Sequence, residues 1–274
     1  IKKVPSLQGK TIANLFFEPS TRTRISFELA QKRMSADTIT FSASSSSLTK
    51  GESFKDTVKN IEAMKIDAIV MRHPHSGAPS HLTQFVDAVV VNAGDGMHEH
   101  PTQAILDMMS LQEQFQKLKG LKVGIIGDIS HSRVALSNIH GLITMGAKVM
   151  VCGPSTLIPV HIENLGVKVS HDFDEVIDWA DAVNILRIQL ERMGAGLYPS
   201  VREYRELFGL TVDRIERHRK SLVIMHPGPM NRGTEIDSAV ADSERAIILD
   251  QVLNGVASRI AILFLLLGGQ LEEN

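Results

Sequence analysis

The sequence has 274 residues, 43% of them hydrophobic and 22% charged, with a formal net charge of −2 at pH 7. That length suits two domains of ordinary globular composition. Scattered arginines without interleaved aromatics exclude a nucleic-acid surface, the single Cys152 excludes an internal disulfide and a cysteine-based zinc site, and the longest apolar stretch, Ile260–Leu267, is too short for a bilayer core of about 30 Å.

In chain order, the apolar run Thr11–Phe17 reads as a buried strand that stops before Pro19. Ser20 then stands at an expected helix N-cap, and Ile25, Phe27, Leu29 and Ala30 continue a helical pattern to Arg33. The junction is Ser20-Thr21-Arg22-Thr23-Arg24. Backbone N–H groups at a helix start lack intrahelical partners, and the dipole there is positive. Three hydroxyls and two guanidiniums add donors and charge, a chemistry suited to phosphate or another compact anion. The plainer reading is a capped helix with solvated arginines.

Strands are also expected at Thr38–Phe41, Asp67–Met71 and Ala88–Val91, with helices at Ser53–Met64, Ser80–Val86 and Pro101–Gln116. Ser42–Ser47 reads as a serine-rich loop. A second series begins at Lys122. Its strands are Val123–Ile126, Lys148–Val151, Val167–Val169, Ala182–Ile185 and Leu222–Met225; its helices are Ser132–Met145, Asp174–Trp179, Ser200–Leu207 and Val212–His218. A closing helix over about Arg245–Leu267 is apolar enough to be buried. Strands alternating with helices predict an α/β fold of two doubly wound parallel-sheet domains. The expected domains are residues 1–119, completed by the closing helix at 245–267, and residues 120–244.

In open parallel sheets, ligands bind beyond the carboxyl ends of strands. Six predicted strand ends carry Arg, His, Gln or hydroxyl groups: Ser20–Arg24; Arg72-His73-Pro74; Asn92–Gly96, leading to His98-Glu99-His100-Pro101-Thr102-Gln103; Gly127–Arg133; Arg187-Ile188-Gln189; and His226-Pro227-Gly228-Pro229. Each has a plainer reading, as surface arginines, loop histidines or a rigid turn. His98, Glu99 and His100 are too close for the two-histidine zinc helix, so no metal is expected. Gly124 and Gly127 do not complete a dinucleotide fingerprint, and no phosphate-binding Gly-Lys loop or Gly-x-Ser-x-Gly elbow exists. The inventory lacks an obvious nucleophile and is rich in donors and cations. It suits catalysis by orientation and oxyanion stabilisation.

Together these motifs resemble the transcarbamoylases. Ser20-Thr21-Arg22-Thr23-Arg24 resembles their carbamoyl-phosphate signature, and His100-Pro101-Thr102-Gln103 their second one. Lys50-Gly51-Glu52-Ser53, Val70–Pro74, Asn92–Asp107, Arg187-Ile188-Gln189 and His226–Pro229 complete the pattern in the family's order over nearly the whole chain. They are most similar to the branch that uses L-aspartate. The resemblance implies carbamoyl transfer from carbamoyl phosphate to the amino group of L-aspartate, in pyrimidine synthesis, without a cofactor or covalent intermediate. It also implies an active site between the domains and at a subunit interface, and one cysteine fits a cytoplasmic location.

By matching positions, Ser20, Thr21, Arg22 and Thr23 would hold the phosphate, and Arg72, His100 and Gln103 the carbamoyl group. Arg133, Arg187 and Gln189 would bind aspartate. The Pro227 and Gly228 carbonyls would lie near the amine and the carbamoyl NH2. Ser46 and Lys50 would reach a neighbouring subunit's site, where Lys50 would touch both substrates, so a homotrimer is implied. The implied catalytic set is Arg22, Thr23, Arg72, His100 and Lys50. Whether the trimer joins regulatory chains or a dihydroorotase is left open by the sequence. The loop Leu190–Pro199, with Gly194 and Gly196, is expected to close over aspartate.

There are departures and rivals. The family normally carries a helix before the first strand, whereas this sequence starts near that strand, and Gly228 stands where some members have leucine. The ornithine-specific branch resembles His-Cys-Leu-Pro where this chain has His226–Pro229, and usually carries Met where Thr21 stands. Its cationic substrate would also sit badly beside Arg187. A silent assembly subunit is opposed by the complete donor set, and a nucleotide-dependent oxidoreductase by the missing glycine fingerprint.

Overall fold

The computed structural model describes residues 3–42, 53–188, 200–218 and 221–268. They fall into two compact units, residues 1–102 with 253–274, and residues 103–252.

In the first unit, β1 (Thr11–Phe16), β2 (Asp37–Ser42), β3 (Ala68–His73) and β4 (Val89–Asp95) form a parallel sheet in the order β2-β1-β3-β4. The helices are α1 (Thr21–Arg33), α2 (Phe54–Glu62) and α3 (Ala78–Leu82). A sheet covered on both faces makes its strands near-continuous apolar runs, and alternate residues of β1 divide between two cores. Ile12 and Phe16 join Phe27, Ala30, Val70 and Val91, while Ala13 and Leu15 join Val58, Ile69, Met71 and Leu82. Asn14, fully buried in the same strand, exchanges two hydrogen bonds with Gln31 of α1, at 2.9 and 2.8 Å. The pair satisfies both amides, as burial requires.

Some boundaries move. Helix α3 starts before the expected Ser80, because Gly77 adopts a left-handed turn (φ 81°) and Pro79 fits the first helical turn. Strands β3 and β4 run further than expected, so Arg72 and Asn92 lie within the strands rather than after them.

In the second unit, α4 (Pro101–Phe115) leads to a parallel sheet of β5 (Lys122–Ile126), β6 (Lys148–Cys152), β7 (Lys168–Ser170), β8 (Ala182–Ile185) and β9 (Val223–Met225), in the order β7-β6-β5-β8-β9. Its further helices are α5 (Arg133–Thr144), α6 (Phe173–Trp179), α7 (Val201–Phe208), α8 (Val212–Arg217) and the unexpected short α9 (Ser238–Ala241). The β6–β7 connection holds two 3₁₀ turns, Ser155–Leu157 and Ile162–Leu165. Pro154 and Pro159 keep that stretch from becoming one longer helix.

Helix α10 (Ile248–Leu266) starts three residues later than expected. Residues 245–247 instead run beside β9: Ile224 N–H donates to Arg245 O, and Ile247 N–H to Ile224 O. At 19 residues α10 is apolar and long enough to cross a bilayer, which the shorter apolar stretch in the sequence is not. In this fold the expected burial holds for one face only: Leu263 is fully buried in the cluster of Leu7, Ile12, Phe27 and Val70, whereas Leu249, Val252, Leu253, Leu265 and Leu266 are exposed. The division between units falls inside α4 and α10.

In each sheet the strand order reverses once, between β1 and β3 and between β5 and β8. Connections leave such a switch point to opposite sides, and a crevice opens beyond the carboxyl ends of the two strands.

Candidate active site

At the first switch point, Phe17 N–H donates to Arg72 O at 2.9 Å and extends the β1–β3 pairing by one residue. This sets Glu18 beside Arg72, whose Nε lies 2.6 Å from Glu18 Oε1. Arg72 Nη1 reaches Thr23 Oγ1 at 3.4 Å. Thr23, the buried third residue of α1, is thereby brought together with Arg72 across 49 residues of sequence. Thr21 and Arg22 are exposed on the first turn, and Arg24 lies 3.9 Å from Glu28 along the helix. Ser20 occupies the N-cap position, but its side chain makes no capping bond. The expected cap is therefore one of position only, and the Ser20 hydroxyl does not occupy the first N–H groups of α1.

At the end of β4, Asp95 is buried. Its carboxylate accepts from Asn92 Nδ2 (2.8 Å), Gly77 N–H (2.6 Å) and Glu99 N–H (3.2 Å), and lies 3.1 Å from His98 Nδ1. Four contacts fasten the turn that delivers His100, itself 4% exposed, to the start of α4. His98 and Glu99 thus serve the turn. Among the described residues, no three His, Cys, Asp or Glu side chains gather closely enough to hold a metal.

At the second switch point, Leu186 N–H donates to Ile126 O at 2.8 Å, continuing the β5–β8 pairing. Arg133 opens α5 behind its Ser132 cap and is 5% exposed; Arg187 lies two residues beyond β8 and is half-buried. The intervening loop donates its backbone N–H groups inward, from Gly127 to Cys152 O and from Ile129 and Ser130 to Leu157 O. A dinucleotide loop would present such groups to a pyrophosphate. Cys152 is no nucleophile: burial, with Asp172 and Glu175 nearby, pushes its thiol up to about 12.

Beyond β9, His226 is buried and shapes the turn that carries Pro227 and Gly228. Its Nδ1 accepts from Gly228 N–H at 2.8 Å, so Nε2 carries the proton and donates to Glu235 Oε1 at 3.2 Å. His226 N–H donates to Gln251 Oε1 at 3.0 Å.

Sequence reasoning gave no role to Asp107, although it closes the Asn92–Asp107 stretch of the family pattern. One helical turn after Gln103, it is fully buried and accepts four side-chain amides. Gln103 Nε2 and Gln251 Nε2 reach Oδ1 at 3.0 and 2.7 Å; Asn138 Nδ2 and Asn184 Nδ2 reach Oδ2 at 2.8 and 3.4 Å. Besides its place in that stretch, the i, i+4 spacing from Gln103 was its sequence signal. Burial outweighs the four donors and raises the carboxyl from 3.8 to about 6. Folded Asp107 therefore holds its proton more tightly than the unfolded chain does. The stability this provides is present below about pH 4 and is lost as pH rises through about 6. Over that window the wild type is expected to lose about 3 kcal/mol relative to Asp107→Asn, read by urea unfolding at both ends. Parallel pH slopes for the two proteins would contradict the assignment.

Ser46, Lys50, Gln189 and the loop Leu190–Pro199 lie outside the described residues.

Two family models cover the chain: the carbamoyl-phosphate-binding domain of aspartate/ornithine carbamoyltransferase matches residues 1–113, and the Asp/Orn-binding domain matches residues 119–266. The chain belongs to the aspartate/ornithine carbamoyltransferase family. Within that family its sequence stands with the aspartate branch. It is 60% identical to the aspartate carbamoyltransferase catalytic subunit of Christiangramia forsetii, over 97% of this chain and 86% of the relative. The aspartate transcarbamoylase of Trypanosoma cruzi, solved with N-(phosphonacetyl)-L-aspartic acid, superposes with a TM-score of 0.88 at 30% identity, covering 97% of this chain and 86% of that one. Ornithine carbamoyltransferase from Pyrococcus furiosus superposes with 0.85 at 28% identity, covering 98% and 88%. The fold is therefore common to both branches, and the side chains decide the acceptor.

Proposed function

We infer that this chain transfers the carbamoyl group of carbamoyl phosphate to the amino group of L-aspartate, giving N-carbamoyl-L-aspartate and phosphate for pyrimidine synthesis. The observation that carries the reading is a guanidinium at each switch point: Arg72 against Thr23 at the ends of β3 and α1, and Arg133 with Arg187 beyond β5 and β8. Carbamoyl phosphate and amine-deprotonated aspartate are both dianions and repel one another. Bringing the reacting atoms to about 3–3.5 Å requires fixed positive charge around each.

In this reading Ser20, Thr21, Arg22 and Thr23 hold the phosphate. Arg72, His100 and Gln103 hold the carbamoyl group. Arg133, Arg187 and Gln189 bind the aspartate, and bidentate guanidinium pairing favours a dicarboxylate over a cationic acceptor. The Pro227 and Gly228 carbonyls accept from the attacking amine and the carbamoyl NH2. As the amine adds, the carbonyl oxygen becomes anionic, and Thr23, Arg72 and His100 donate to it; each such donor is worth about 10²–10³ in rate. The intermediate collapses by expelling phosphate, which accepts the amine proton. The atoms balance without a cofactor or a covalent enzyme intermediate.

Residues 1–119, with the helix at 245–267, form the carbamoyl-phosphate domain of this proposal, and residues 120–244 the aspartate domain. A cytoplasmic homotrimer, in which Ser46 and Lys50 of a neighbouring subunit complete each site, belongs to it as well.

The test is product formation from carbamoyl phosphate with L-aspartate and, in parallel, L-ornithine. Carbamoyl-aspartate alone is expected. Carbamoyl-ornithine would overturn the acceptor assignment, and no product from either would overturn the activity.

A further inference from the structure

We propose that Asp107 is a positioning residue that fixes which way round the Gln103 amide faces, and so makes the site select an NH2-bearing carbamoyl donor. The inference rests on the reading above, in which Gln103 contacts the carbamoyl group.

A glutamine amide is nearly symmetric in shape but not in chemistry. Turned over, it offers two N–H donors where it had offered an oxygen acceptor. Nothing in the steric fit of Gln103 chooses between the two. The partner at its inner edge does. An ionised carboxylate only accepts, so Asp107 Oδ1, 3.0 Å away, holds Nε2 inward and leaves Oε1 as the outward group. An outward oxygen is an acceptor for the carbamoyl NH2. In the reading above, the other end of the group is already met by donors, Arg72, His100 and Thr23 being assigned to the carbonyl oxygen. Beside the backbone carbonyls of Pro227 and Gly228, the amide orientation set by Asp107 gives the side-chain acceptor that separates NH2 from a methyl of the same size.

The surroundings of Asp107 support the acceptor-only state. The groups facing it from α4, α5, β8 and α10 are Gln103, Asn138, Asn184 and Gln251, all neutral amides offering N–H. Gln251 is fixed independently: its Oε1 accepts the backbone N–H of His226, which forces its Nε2 toward Asp107. Asn138 Nδ2 reaches both Asp107 Oδ2 and Val134 O, which likewise requires nitrogen at that position. A raised value of about 6 still leaves the carboxyl mostly ionised at neutral pH. A fully buried carboxylate with no cation among these partners is an expensive way to fill space, where an apolar residue of like volume would serve packing better.

The test compares Asp107→Asn, Gln103→Ala and the double variant, each as the full chain. The reading is kcat/KM for carbamoyl phosphate, together with competition by acetyl phosphate, which carries a methyl in place of the NH2. Asp107→Asn puts an amide opposite Gln103 and allows it to turn over. We expect kcat/KM for carbamoyl phosphate to fall about 30- to 100-fold, and preference over acetyl phosphate to fall by about the same factor. The KM for aspartate should stay within about threefold. In the Gln103→Ala background, Asp107→Asn should add less than about threefold, since a residue acting through another is non-additive with it.

Losses that multiply in the double variant, or an acetyl phosphate preference unchanged by Asp107→Asn, would overturn the proposal and leave Asp107 a structural residue. Wild-type carbamoyl phosphate use by Gln103→Ala would instead overturn the carbamoyl assignment of Gln103. If Asp107→Asn does not fold, Asn138→Ser reads the same cycle with the carboxylate kept but one anchoring donor removed. About a fivefold loss is then expected, absent in the Gln103→Ala background; an additive loss would again overturn the proposal.

Discussion

Replacing Arg72 by alanine is expected to lower kcat by about 10³, at the upper end of what one oxyanion donor supplies. Two effects act together. The variant loses a cation from the carbamoyl oxygen, and it uncovers Glu18. The two side chains are only 14% and 15% exposed and lie 2.6 Å apart. Removing one partner of such a poorly solvated pair takes away the cation that meets the other charge at 2.6 Å. Here the remaining carboxylate stands beside the proposed place of the anionic donor and developing oxyanion, so it weakens the positive field there. Adding Glu18→Gln to Arg72→Ala is therefore expected to recover about tenfold of the loss, by removing the exposed charge while leaving the cation absent. Steady-state kinetics on the two single variants and the double variant read this directly. A double variant no better than Arg72→Ala would mean that Glu18 does not bear on the site.

Arg22→Ala and Arg187→Ala are expected to separate the two substrates. Arg22 is exposed on the first turn of α1. Its loss should lower kcat/KM for carbamoyl phosphate about 10²- to 10³-fold, a few kcal/mol of charge-assisted bonding to phosphate, with little change in protein stability. Arg187→Ala should raise the KM for aspartate about 100-fold, the scale of losing a bidentate carboxylate pair, while carbamoyl phosphate binding persists. Initial rates with each substrate varied at saturation of the other distinguish the two. Equal effects of both variants on both substrates would contradict the division of roles.

The two arginines also illustrate what sequence reading reached. The strand-to-helix junction at Ser20–Arg24 was legible because it is local: a strand that ends, a helix that begins and the donors between them are all set by adjacent residues. His100–Gln103 and His226–Gly228 were legible for the same reason, each being a short run tied to one strand end. Strand positions were also close to those observed, since a parallel sheet buried on both faces writes itself as an apolar run. Boundaries failed where a neighbour decided them, as when residues 245–247 paired beside β9 instead of starting α10.

By itself, then, the sequence determined the α/β class, the family and the short stretches to which the proposed chemistry is assigned. Only the tertiary structure decided which distant side chains meet. The reversal of strand order between β1 and β3 sets Arg72 against Glu18 and Thr23, and the same device in the second sheet places the starts of α5 and of the segment after β8 at one switch point. Asp107 was the plainest case. In the sequence it is one more acid four residues after a glutamine on an amphipathic helix, indistinguishable from a solvated one. Its role depends on Asn138, Asn184 and Gln251, which are 31, 77 and 144 residues away. Whether a carboxylate is solvated or enclosed by amides depends on long-range packing, and no local pattern encodes it.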